Sequence, residues 1–262
     1  MKLVFSGVGG AFASPEQFQT NAFLIADNGV MLIDCGSDAR HALSKQGVTV
    51  TDIDAVYISH LHADHVGGME WLAFSTYFHP NLQRPLLFAN VNLMNDMWNH
   101  TLRGGLDSIE GKLMDLTDYF ECKPLVPNGS FEWQGVRFEP VQTVHVMAGR
   151  KIVHSYGLML AFLNKDGDER RVFYTSDTQF CPNQISTFYQ KADLIFHDCE
   201  TTLFKSGVHA HIDDLKTLPA ETKAKMWLMH YMRPEADLQE LAASEGFAGF
   251  VMRGQKFNLE NL

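Results

Sequence analysis

The run Ser59-His60-Leu61-His62-Ala63-Asp64-His65-Val66-Gly67-Gly68 places four potential metal ligands within six residues. It follows Ala55-Val56-Tyr57-Ile58, a continuous apolar stretch suited to a strand buried on both faces. In a loop at a strand end, His60 and His62 can point the same way and hold one ion, while Asp64 and His65 turn to a second. Gly67-Gly68 then permits a tight exit. Imidazole and carboxylate donors suit zinc, with manganese or iron as alternatives. Two ions need more ligands, and His145, Asp177 and His230 each close a predicted strand, in segments 141–145, 173–177 and 227–230. Asp177 suits a bridge, because each carboxylate oxygen can take one cation.

The rest of the chain is consistent with one layered α/β body. Its 262 residues are 45% apolar and 20% charged, enough for a core without disulfide or metal staples. No Pro/Gly/Ser-rich linker divides it, so residues 1–262 are expected to form a single domain, with a helical insert at about 90–120. There Met94, Met97, Trp98, Thr101 and Leu102 recur at helical spacing. That stripe suits either core or an exposed surface, and in the second case a homodimer contact. Short strands are expected at 2–8, 22–26, 30–34, 85–89, 131–133, 136–138, 155–162, 172–174, 192–196, 225–229 and 247–252, and a helix from Asp213. The formal charge of −10 disfavours long nucleic acid as a partner. Four cysteines without a CxxC pair point to reduced thiols and a cytoplasmic location. The N-terminus lacks a secretory h-region and no run of about eighteen apolar residues occurs, so no membrane association is expected.

HLHADHVGG with a downstream His145, Asp177 and His230, together with Asp34 in an IDCG stretch, resembles the metallo-β-lactamase fold superfamily over most of the chain. The resemblance implies a four-layer αββα sandwich with a dinuclear site at one edge, the loop supported by Asp34. It also implies hydrolysis by a water shared between two metal ions, acidic enough to be hydroxide near neutral pH, with Asp64 both a ligand and a catalytic group. True β-lactamases commonly place Cys where this chain has Asp177, and Cys181 lies four residues further on. A bridging Asp argues instead for phosphodiester, thioester or lactone hydrolysis. Val141–Met147 reads VQTVHVM, unlike the TPGHT-like stretch of glyoxalase-type thioesterases.

The ribonuclease Z and cyclic-nucleotide phosphodiesterase branch is the better match. Ser155-Tyr156-Gly157 resembles the pair that follows its third ligand, and His209-Ala210-His211-Ile212-Asp213-Asp214-Leu215 resembles its histidine-led helix start. The resemblance assigns His209, with His211 as the alternative, to donate a proton to the phosphate or leaving oxygen. Between His145 and Asp177 there is room only for a hairpin and not for a long tRNA-binding arm, which favours small phosphodiesters such as cyclic nucleotides. The competing expectations are a lactone or thioester hydrolase of the same fold, a ribonuclease Z-like RNA-processing enzyme, and a di-iron redox or sensor module. His154 could replace His145 as a ligand, although its place within a strand favours packing. His197, Asp198 and Glu200 could orient ligand imidazoles or form a structural network.

Overall fold

A computed structural model describes residues 1–232 and 237–262. In chain order its strands are β1 (Lys2–Gly7), β2 (Asn21–Ala26), β3 (Gly29–Ile33), β4 (Ile53–Tyr57), β5 (Leu86–Asn90), β6 (Ser108–Ile109), β7 (Lys112–Leu113), β8 (Glu121–Leu125), β9 (Phe131–Trp133), β10 (Val136–Ala148), β11 (Lys151–Leu163), β12 (Glu169–Tyr174), β13 (Leu194–Asp198), β14 (Met226–Met229), β15 (Gly249–Phe250) and β16 (Lys256–Asn258). They form two seven-stranded mixed sheets, ordered β16-β1-β2-β3-β4-β5-β8 and β15-β14-β13-β12-β11-β10-β9, and a small β6-β7 ladder. Each sheet joins a run of antiparallel strands to a run of parallel ones. β3, β4, β5 and β8 are parallel in the first sheet, and β12 to β15 in the second. The carboxyl ends of each parallel run therefore share an edge, where ligands bind in open α/β sheets.

Alternate residues of one strand serve two cores, which explains why the central strands read as unbroken apolar runs. Leu3, Phe5, Ile33 and Tyr57 face the second sheet, where they meet Phe138, Leu158 and Phe196. The rings of Phe5 and Phe196 are 4.9 Å apart, and Phe88 stacks on Phe131 at 4.0 Å. Val4, Leu32, Val56 and Ile58 face the other way, onto the helices Ala39–Lys45 and Met69–Tyr77.

Three expectations change. The helical insert is present, as the helix Val91–Asp96, a π-helical turn Met97–Leu102 and the helix Arg103–Leu106. Met94, Met97 and Leu102 of the stripe are buried in the outer core of their own chain, whereas Trp98 is half-buried and Thr101 exposed. The helix expected from Asp213 runs Ile212–Leu215, and its cap is His211, whose ring accepts from the Asp213 amide. β10 does not stop at His145 but continues to Ala148 through a register shift between Val144 and Val146. The extra residue of that bulge is His145, and a bulge re-aims a side chain without ending the strand.

Gly157 on β11 shows how tightly the second sheet is built. A Cβ there would lie 2.5 Å from the Tyr174 carbonyl oxygen and 2.6 Å from that of Thr175, both backbone atoms with little freedom to move. Gly157→Ala is expected to destabilise the fold by about 1–3 kcal/mol, lowering Tm by roughly 2–4 °C per kcal/mol in a melt followed by circular dichroism.

Candidate metal centre

Each ligand is delivered by a strand end or a bulge at the shared edge. The loop after β4 carries His60, His62, Asp64 and His65; the bulge of β10 carries His145; Asp177 follows β12 and His230 follows β14. They fall into two groups that share Asp177: His60, His62, His145 and Asp177, and Asp64, His65, Asp177 and His230. In the first group His62 Nδ1 stands 3.2 Å from His60 Nε2 and 3.0 Å from His145 Nε2, and both Nε2 atoms are 3.6 Å from Asp177 Oδ2. In the second, His65 Nε2 is 3.3 Å from Asp64 Oδ2 and 3.2 Å from Asp177 Oδ1, and His230 Nε2 is 3.4 Å from Asp64 Oδ2 and 3.5 Å from Asp177 Oδ2. Ligands about 2.0–2.1 Å from a tetrahedral zinc stand about 3.4 Å from one another. Both groups match that spacing, and the buried His65 Nε2 has no hydrogen-bond partner. The residues therefore fit two divalent cations.

The far nitrogens of the imidazoles explain why the ligating ones converge. His60 Nδ1 donates to Ser59 Oγ (3.0 Å), His65 Nδ1 to Asp34 Oδ2 (2.8 Å) and His145 Nδ1 to the Val208 carbonyl (2.9 Å), while His230 Nδ1 lies 3.4 Å from Asp198 Oδ1. Each bond fixes the tautomer and leaves Nε2 for a cation. His62, the exposed member, instead presents Nδ1. The Ser59 hydroxyl is fully used. It donates to Asp34 Oδ2 (2.8 Å) and accepts from His60 Nδ1 and from Ser176 Oγ (2.8 Å).

Burial lowers the proton affinity of His60, His62 and His145, which favours the neutral, ligating form. Burial alone would do the same to His65 and His230, but the carboxylates reverse it. Asp177 and Asp34 raise His65 well above its ordinary value, and Asp177, Asp198 and Asp64 raise His230 to about 10. Against its own burial, Asp177 is held well below the usual carboxylate range by His230, His65 and His60.

His209 stands beside this cluster, its ring 5.1 Å from that of His145 and 4.6 Å from that of His230. Its Nδ1 donates to Asp198 Oδ2 at 2.8 Å, leaving Nε2 for a substrate. Burial lowers its pKa, but Asp198 and Asp177 outweigh this and raise it above the ordinary histidine value. Asp198 also accepts from the Thr178 amide and lies fully buried. His211 is placed elsewhere. Its Nε2 meets the Thr202 carbonyl and its Nδ1 caps a helix, so both nitrogens are engaged by the protein. His197 bonds Tyr189 and its own strand, Glu200 holds the Ser206 amide, and His154 lies outside both ligand groups. Sequence reasoning passed over Asn21, which bonds the Asp64 carbonyl and the Gly36 amide, and over Ser59 and Ser176. The two serines directly precede His60 and Asp177, a signal that was available.

A family profile described as "Anti-Pycsar protein Apyc1" matches residues 1–257. The chain is 38% identical over 235 residues to a relative of that description from Paenibacillus harenae, covering 88% of this chain and 90% of the relative. It is 31% identical over 269 residues to another from Bacillus phage vB_BsuM-Goe3, covering 98% of each. Among solved structures, the metallo-β-lactamase fold protein YhfI from Bacillus subtilis superposes over 98% of each chain with a TM-score of 0.73 at 17% identity. The chain thus has the metallo-β-lactamase fold. No helix among the described residues is long and apolar enough to cross a membrane.

Two substitutions separate ligation from support. His230→Ala removes a ligand from the second group alone and is expected to lower bound metal from about two ions per chain to about one, counted by mass spectrometry. Ser59→Ala keeps every ligand but frees His60 Nδ1, and is expected to weaken metal affinity about 10–100-fold in a chelator competition.

Proposed function

The chain belongs to the anti-Pycsar Apyc1 family and is a metal-dependent phosphodiesterase acting on cyclic nucleotides, and from that premise we propose how its own residues carry out the hydrolysis. The observation that carries the reading is the pair of ligand groups meeting at Asp177, with the Asp198–His209 pair alongside. Zinc is the resident metal by the nitrogen and oxygen donor set and its tetrahedral spacing. When bound, two such cations supply Lewis acidity toward phosphate oxygens and lower the pKa of a coordinated water. The protein works in the cytoplasm on a small, soluble substrate, consistent with its four free cysteines.

The chain's part is positioning and proton supply. Despite its burial, Asp64 stays ionised well below the usual carboxylate range through His230 and His65. The attacking water enters as hydroxide, its first proton released to solvent, and the Asp64 carboxylate accepts a hydrogen bond from it and orients it. As the water oxygen bonds to phosphorus, one ribose P–O bond of the ring breaks and its electron pair stays on the leaving alkoxide. His209, positioned by Asp198 and held more basic than an ordinary histidine, gives its Nε2 proton to that alkoxide. The product is a linear nucleoside monophosphate. Neutral His209 regains a proton from solvent, since its side chain is 20% exposed.

His209→Ala tests this division. The variant is expected to keep its metals and fold but to lose about 10²–10⁴-fold in kcat on cyclic nucleotides, whose alkoxide leaves poorly. On bis-p-nitrophenyl phosphate, whose leaving group is a stable anion, the loss should be much smaller. His211→Ala is expected to cost about 1 kcal/mol in stability as a lost cap and to affect both substrates alike. Equal, slight losses for His209→Ala on both substrates would remove it from the proton-donor role.

A further inference from the structure

A hollow of about 300 Å³ opens at the carboxyl ends of β5 and β8, against β10 and β11. Its polar lining is Asn90, Asn92, Asn128, Gln142, His154 and Tyr156, and the remainder is aliphatic. Four features tie it to the site. The Tyr156 amide donates to the carbonyl of Ser59, the residue before His60, at 3.0 Å. Tyr57 donates its hydroxyl to the Tyr156 carbonyl at 2.8 Å. His154 pairs across β10 with Val144, the neighbour of His145. Asn90 closes β5, which runs parallel to the strand that feeds the metal loop.

The chemistry of the lining is selective. No Lys, Arg, Asp or Glu contributes to it among the described residues, so it is unsuited to a second phosphate or a free cation. Amide, imidazole and phenol groups each donate as well as accept. His154 lines the hollow, and its buried Nδ1 has no hydrogen-bond partner in the protein, a costly state for a polar atom. A neutral, flat group with a mixed donor and acceptor edge fits all three facts. In a cyclic nucleotide only the furanose separates phosphate from base, so a base site has to lie near the metals, and Tyr156 of this hollow is hydrogen-bonded to the residue before His60.

We propose that this hollow takes the nucleobase of the cyclic nucleotide, with His154 and Gln142 bonding its polar edge; the assignment rests on the phosphodiesterase reading above. The test compares 3′,5′-cyclic nucleotides with the same cyclic ribose phosphate carrying hydrogen in place of the base. Wild-type protein should prefer the base-bearing substrates. In Gln142→Ala and in His154→Leu the ratio of kcat/KM between the two substrate types should fall at least tenfold, through KM and not kcat. His154→Gln, which keeps a donor and an acceptor, should recover most of the ratio. Gln142 is exposed, so Gln142→Ala carries the test even if His154→Leu fails to fold. An unchanged ratio with metal content intact, or an equal loss on both substrate types, overturns the base site. Failure of wild-type protein to turn over either substrate overturns the phosphodiesterase reading instead.

Discussion

Asp34 is fully buried, and its carboxylate accepts three hydrogen bonds, from the Ser59 amide, the Ser59 hydroxyl and His65 Nδ1, each 2.8 Å long. Through these bonds one side chain ties the end of β3 to the loop after β4. It also reaches both ligand groups, His65 directly and His60 through the Ser59 hydroxyl. Ser176 Oγ donates into the same chain from the second sheet, one residue before the shared ligand Asp177. The alignment of the two sheets and the geometry of the two metal sites are thus a single constraint. In a low-dielectric interior such a network is stable only when every member is satisfied, which makes each serine hydroxyl matter as much as the ligands it supports.

The edge where the candidate ligands meet also holds strained backbone. Asp34, Ser176 and His230 have φ of 67°, 52° and 66°, the left-handed region that non-glycine residues avoid. Each follows or lies just beyond the end of a parallel strand, where the chain must leave the sheet and still turn a side chain into the cleft. Such positions cost about 1–3 kcal/mol each and persist because other contacts hold them. Here those are the carboxylate bonds of Asp34, the Ser176–Ser59 bond and the Asp64 and Asp198 contacts of His230. His145 reaches the same cluster by a bulge and avoids this strain.

The three groups of converging ligand atoms consist only of Asp and His. Cations held there, together with the proton on His209, would meet an anionic phosphate. This reconciles a chain of net charge −10 with an anionic substrate. The positive charge is concentrated at one point, suited to a small phosphodiester and not to a long phosphate backbone. Asp198 completes the arrangement by orienting His209 with one oxygen and facing the ligand His230 with the other.

The cluster of candidate donors was legible in the sequence because covalent spacing carries it. Four donors in His60–His65 cannot be a solvated accident next to an apolar strand, and His145, Asp177 and His230 stand out by following strands of their own. The layered fold was legible for a similar reason, as apolar runs of strand length alternate with turns. What the sequence left open depends on contacts between distant segments. That His209 stands beside the cluster and His211 away from it shows only where Asp198 meets one and the Thr202 carbonyl takes the other. The inward packing of Met94 and Met97 required the outer core they complete. Ser59 and Ser176 are 117 residues apart, and only the packing of one sheet on the other brings their hydroxyls to 2.8 Å. Local spacing determines which donors are near one another along a loop. Which nitrogen of each imidazole is left facing the cluster, and which histidine stands beside it, is decided by hydrogen bonds that exist only after the two sheets have met.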